Sequence, residues 1–112
     1  MNRQAWREIK AARTRAHDAF DPLWKAPEVL GFPKLCKNRD RARVKMLRVM
    51  RRRAYSWLGW RLGLQDLAHI GQLDALGCDQ VIEACRDMNA RKILDWWRAH
   101  AGAEKARTGA VD

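Results

Sequence analysis

Residues 37–62 read KNRDRARVKMLRVMRRRAYSWLGWRL, and the reading of this stretch decides the fold. Between Lys37 and Arg53 nine basic residues (Lys37, Arg39, Arg41, Arg43, Lys45, Arg48, Arg51, Arg52, Arg53) stand against one acid, Asp40. That is a local excess of eight charges in a chain of net charge +10. A helix turns about 100° per residue. At that pitch Leu47, Met50, Ala54, Leu58 and Arg61 share one face with Trp57 on its flank, and this face is expected to be core. On the opposite side Arg41, Lys45, Arg48 and Arg52 recur at spacings of four, three and four, which aligns them in one cationic stripe. Nothing in the helix itself neutralises them. Asn38 is placed to cap this helix, and Asp40 sits in the first turn, where a negative charge suits the helix dipole. The helix should stop at Leu62, because Gly63 supplies the left-handed residue that ends many helices. Gly59 lies inside it at a cost of about 1 kcal/mol relative to alanine, which marks a kink or a close contact.

Upstream, residues 3–20 predict a first helix with Ile9, Ala12, Ala16, Ala19 and Phe20 on one face and Arg3, Arg7, Lys10 and Arg13 largely off it. The alanines would let another helix approach closely. Asp21 before Pro22 reads as a helix cap and a preset first-turn residue for a short turn anchored by Leu23 and Trp24. The run Ala26–Cys36, APEVLGFPKLC, has two prolines and a glycine, so it reads as an irregular connection pinned by Val29, Leu30, Phe32 and Leu35.

Downstream, Gln65–Gln72 is expected to be a turn or short helix containing His69. Asp74 should cap a further helix running to about Met88 with Cys78, Val81, Ile82 and Cys85 inward. Asn89 then breaks or bends the pattern before Ala90–Ala101. Trp96 and Trp97 point about 100° apart, so one small core will not bury both. From Gly102 the text is polar and rich in small residues, and reads as a disordered tail over 102–112. No repeat and no strand alternation stands out. The fold class is all-α: a single-domain bundle of four to five helices over residues 1–101, with one long basic central helix and a core round Trp24, Trp57, Leu58, Val81 and Ile82.

A chain of 112 residues, 47% hydrophobic with six tryptophans, fits one folded domain despite 32% charged residues. Its basic balance favours nucleic acid, an anionic membrane surface or an acidic protein face. No apolar run approaches the roughly 20 residues of a membrane span, and the N-terminal text lacks the apolar core of a secretory signal. Cys36, Cys78 and Cys85 form an odd set without a CxxC, so neither a disulfide framework nor a zinc ribbon is indicated. A cytoplasmic location is expected.

Three segments, AHDAFDPLWK (16–25), RRRAYSWLGWRLGL (51–64) and HIGxxDxxxCxxVIExC (69–85), resemble in this order a family of small phage and prophage proteins described as zinc-finger-containing and of unknown function. Members of that family read AHAAFDPLW, AYxWLAxxLGI and CHIGMFDxxxCxxVIE. The resemblance covers roughly residues 3–88. The family's cysteine-rich zinc module has no counterpart here, its cysteine before the HIG motif is Ala68, and the text after Ala90 is an addition. What the resemblance implies is a phage origin and a helical domain, with no catalytic or binding residue to carry over.

Four candidate chemistries follow from the residues. The basic stripe could lie along phosphates and give sequence-independent, salt-sensitive affinity, with Tyr55 and Trp60 free to stack on unpaired bases. A solvated basic face, or one that docks an acidic protein, would show the same charge. A helix-turn-helix is a weaker reading, because Gly63–Asp74 is longer than the usual three- or four-residue turn and the second helix is acidic before its first arginine. A zinc site from His69, Cys78, Cys85 and Cys36 is disfavoured, since Cys78 and Cys85 lie two turns, or roughly 10 Å, apart. They read instead as small core residues, and His69 as a side chain that fixes a turn by hydrogen bonding. No phosphate loop, metal-spaced histidine pair or activated nucleophile points to an enzyme.

The expectation is therefore a phage accessory protein without cofactor or metal. Arg41, Lys45, Arg48, Arg51 and Arg52 would contact DNA or RNA phosphates. The alternative is an inhibitor of a host defence or regulatory complex, anti-CRISPR-like, whose basic face meets an acidic host protein. Trp60, Trp96 or Trp97 would then be the hot spot. A membrane-surface role is disfavoured because the core needs the apolar face, and an unburied tryptophan makes a homodimer plausible.

Overall fold

The computed structural model describes residues 2–26, 40–65 and 68–108. The expected anchors Val29, Leu30, Phe32 and Leu35, together with Cys36 and the cap Asn38, lie outside the described residues. Within them are four α-helices and no strand: α1 (Arg3–Phe20), α2 (Asp40–Leu62), α3 (Ala75–Cys85) and α4 (Ala90–Thr108), with 3-10 turns at Asp21–Leu23 and Ile70–Gln72. The all-α class read from the sequence holds.

α1 starts where Asn2 Oδ1 accepts the Ala5 amide at 2.7 Å, satisfying one of the first-turn donors that a helix leaves unpaired. Its buried positions Ala12, Ala16 and Phe20 are spaced by four, and they lie along the buried face of α3, formed by Gly77, Cys78, Val81, Ala84 and Cys85. Small residues on both faces permit a close approach. Arg13 Nε donates to the Leu73 carbonyl at 3.0 Å and ties α1 to the turn that precedes α3. Asp21 does not cap with its side chain as expected. Its Oδ1 accepts from the Trp24 indole at 3.1 Å and lies 3.3 Å from His17 Nδ1, so it braces the 3-10 turn from within.

α2 ends as its sequence predicts. Gly63 has φ +70°, its amide donates to the Trp60 carbonyl at 3.3 Å, and the Leu64 amide donates to the Gly59 carbonyl at 2.8 Å. This pair of reversed bonds is the Schellman closure. It folds the chain back so tightly that a Cβ on Gly59 would fall on the Gln65 carbonyl oxygen. Gly59 therefore marks a close contact, made with the turn leaving its own helix.

The inward face of α2 differs from the expected one. Met50, Ala54, Trp57 and Leu58 are buried, but Leu47 is half-buried and Arg61 is exposed. Arg61 falls in the last turn, where a cation complements the helix dipole and remains in water. Burial is concentrated from Met50 onward, while Arg41, Ala42, Val44, Lys45 and Arg48 are exposed. The helix is graded along its axis as well as round it.

α3 is capped by Asp74, whose Oδ1 accepts the Gly77 amide at 2.8 Å. It stops at Cys85, short of the expected Met88, because bonds from Arg86 to Glu83 and from Met88 to Cys85 tighten the exit. Asn89 then caps α4 through the Lys92 amide at 2.9 Å. α4 continues past Ala101 to Thr108, through residues that the sequence reading assigned to a tail. Gly102 is tolerated there among strong helix formers, since a glycine costs about 1 kcal/mol and alanine, glutamate, lysine and arginine repay it. His69, expected to fix the turn by hydrogen bonding, makes no side-chain cap bond to the 3-10 turn, and among the described residues its ring lies 5.4 Å from Tyr55.

One core results, with Phe20, Leu58, Ile70, Val81 and Cys78 fully enclosed. Trp57 is buried, whereas Trp24 and Ile82 are half-buried against it. Each fully buried large aliphatic or aromatic side chain contributes roughly 1.5–3 kcal/mol by leaving water. α2 packs on α4 and α3. Met50 and Arg53 share a small cavity with Ile93 and Leu94, Arg53 covers Trp97, and Trp60 meets Trp96 and His100, so α2 and α4 match in the same order along their lengths. No described helix is long and apolar enough to cross a membrane.

Candidate nucleic-acid interface

The four stripe cations Arg41, Lys45, Arg48 and Arg52 are all exposed on α2. At 1.5 Å per residue they extend over about 16 Å of helix. Arg41, Lys45 and Arg48 line an open depression with Val44, itself 49% exposed. Among the described residues no carboxylate lies within ion-pair distance of these four cations. The ion pairs found there are local: His17 with Asp21, Arg86 with Glu83, and Arg91 with Asp95. Aligned exposed cations without counter-charges can supply attraction for a polyanion, since such pairing releases condensed counterions.

Arg51, assigned to the same interface, is placed differently. Its guanidinium lies 4.9 Å from the Tyr55 ring centre and 5.9 Å from that of Trp24. These cation–π contacts draw it toward the 3-10 turn at Asp21–Leu23, to one side of the stripe. Tyr55 is not free to stack on a base. It is half-buried, with Phe20 at 4.6 Å and His69 at 5.4 Å, and burial raises its hydroxyl pKa above the ordinary value although Arg51 opposes the shift.

The tryptophan candidates separate into two settings. Trp60 is 55% exposed and forms an aromatic cluster with Trp96 at 5.5 Å and His100 at 5.3 Å. His100 stacks on Trp96 at 4.8 Å, and its Nδ1 donates to the Trp96 carbonyl at 2.8 Å, one turn earlier on α4. Among the described residues the buried Trp96 indole N–H has no acceptor. Trp97 is half-buried beneath the Arg53 guanidinium, 3.8 Å from its centroid. Sequence reading gave Arg53 no role. Neither the 3.6-residue period nor charge counting shows that a cation will turn back onto a ring of another helix.

The two cysteines among the described residues sit in the core. Cys78 and Cys85 are buried and free, and burial raises both thiol pKa values, that of Cys85 to about 11. Among the described residues no three or more His, Cys, Asp or Glu side chains gather where a metal could bind.

Comparison with known proteins returns no matching family model, no matching curated protein and no matching solved structure. The interface is therefore read from its own residues.

Proposed function

We propose that the protein is a phage accessory protein that binds nucleic acid through α2, its long basic helix, with Arg41, Lys45, Arg48 and Arg52 against phosphates and Arg51 at the margin. The observation that carries the binding role is the alignment of four exposed cations with no described carboxylate in ion-pair range. The phage setting rests on the sequence resemblance. Contacts of this kind position a backbone and read no sequence, so duplex and single strand are both substrates in principle.

Titration of labelled duplex and single-stranded DNA at two salt concentrations tests the role. Four phosphate contacts predict an affinity loss on the order of 100-fold for duplex between about 50 and 200 mM salt. The double change Arg48→Glu and Arg52→Glu should abolish binding at the higher salt. Absence of binding by the unaltered protein at low salt would defeat the proposal.

One observation favours a second reading, inhibition of a host defence or regulatory complex by protein contact. Trp60 presents a large exposed aromatic surface backed by Trp96 and His100, the type of anchor that concentrates energy in protein interfaces. Co-purification of one host protein that is lost on Trp60→Ala, with no affinity for DNA or RNA, would select it.

A further inference from the structure

Next to Arg52, the last cation of the stripe, Arg53 reaches across to α4. Arg52 is exposed and Arg53 half-buried, and Arg98 is exposed beside Trp97. The Arg53 guanidinium lies 3.8 Å above the Trp97 indole, close enough for a planar stack that fixes its orientation. Burial first, then the positive charges of Arg98 and Arg52, depress the Arg53 pKa below its ordinary value. Arg53 is thus near enough to Arg98 and to Arg52 to feel both charges, and no described carboxylate lies within ion-pair distance of the three. Asp95, the nearest acid in sequence on α4, is paired with Arg91 at 3.6 Å. A guanidinium stacked by its face keeps its N–H groups at the rim, where they match the oxygens of a tetrahedral anion in a forked pair.

We infer that Arg52, Arg53 and Arg98 form a phosphate clamp across the α2–α4 seam, with Trp97 as the positioning residue that holds Arg53. The phosphate belongs to a bound polynucleotide, so its source rests on the nucleic-acid reading, whereas the clamp is a property of the two helices. The interface then turns from α2 onto α4, and a strand lying along the stripe is gripped where the helices meet. Arg53→Lys would keep the charge but lose both the flat stack and the fork.

The test follows the Trp97 indole signal of the full chain by 15N-resolved NMR, assigned with Trp97→Phe, during titration with inorganic pyrophosphate and with a ten-residue thymidine oligonucleotide. Both probes should move the Trp97 signal and leave that of Trp6 in place. Arg98→Gln should suppress the shift and reduce the salt slope for the oligonucleotide by about 0.7, the share of one single-strand phosphate contact. Arg7→Gln, an equal loss of charge on α1, should leave the slope unchanged. If the oligonucleotide binds but Trp97 stays still, or if Arg98→Gln behaves as Arg7→Gln does, the clamp is refuted while the binding role stands. If pyrophosphate moves Trp97 and no oligonucleotide binds, the clamp stands and the nucleic-acid reading falls.

Discussion

At Gly59 the fold accepts a hydrogen and nothing larger, because the Gln65 carbonyl occupies the place of a Cβ. Gly59→Ala should destabilise the protein by about 1–3 kcal/mol as the turn is forced away. Gly71→Ala, where nothing lies within 4 Å, should change stability by no more than about 0.5 kcal/mol; urea unfolding of the two variants checks the contrast. Cys85 makes a second prediction. Folding holds its thiol neutral and raises its pKa from 9.0 to about 11. The unfolded chain therefore loses this proton first as pH rises. The associated stability is complete below pH 9 and is lost as pH climbs through about 11. Melting temperatures measured from neutral to alkaline pH should fall over that window, and less so in Cys85→Ala. The sequence made such single-residue roles legible where backbone geometry sets them, as at Gly63 and Asp74. It did not reveal Arg51, Arg53 or Tyr55, because azimuth on a helix places a side chain's root and leaves its long reach undetermined.

Among the elements, α2 departs most from a simple two-faced helix. Leu58 is fully buried, whereas Leu47, expected on the same inward face, is half-buried. Leu58→Ala should cost about 2–5 kcal/mol, and Leu47→Ala clearly less in the same denaturant series. Native-state hydrogen exchange should show amides near Leu58 better protected than those near Val44, since local opening is cheaper where few apolar contacts are lost. The caps offer a further check. Asp74→Ala and Asn89→Ala each remove a side-chain acceptor from a first-turn amide, at 2.8 and 2.9 Å. Each should lower stability by about 1 kcal/mol. Asn89 was expected only to break or bend the pattern, but the start of α3 was readable because a cap is a local contact between a side chain and its third neighbour. The end of α4 was not, since a glycine followed by helix formers carries opposing local signals, and the fold resolves them toward helix.

Across the whole molecule, charge and packing order tell different stories about what a sequence displays. The net charge of +10 is visible at once. The pairing of α1 with α3, and of α2 with α4, is set by contacts between distant residues and left no periodic trace in the text. Unbalanced charge has its own thermodynamic consequence. Raising salt from about 50 mM to about 0.5 M should screen self-repulsion and raise the melting temperature of the unbound protein, even as it weakens any hold on a polyanion. Scanning calorimetry and binding should thus respond to salt in opposite directions. The α2–α4 seam also gathers Trp60, Trp96 and Trp97, half of the six indoles in the chain. Emission from this junction makes the protein its own optical gauge: a strand, an anion or a partner arriving there should change the glow of these rings without any attached dye.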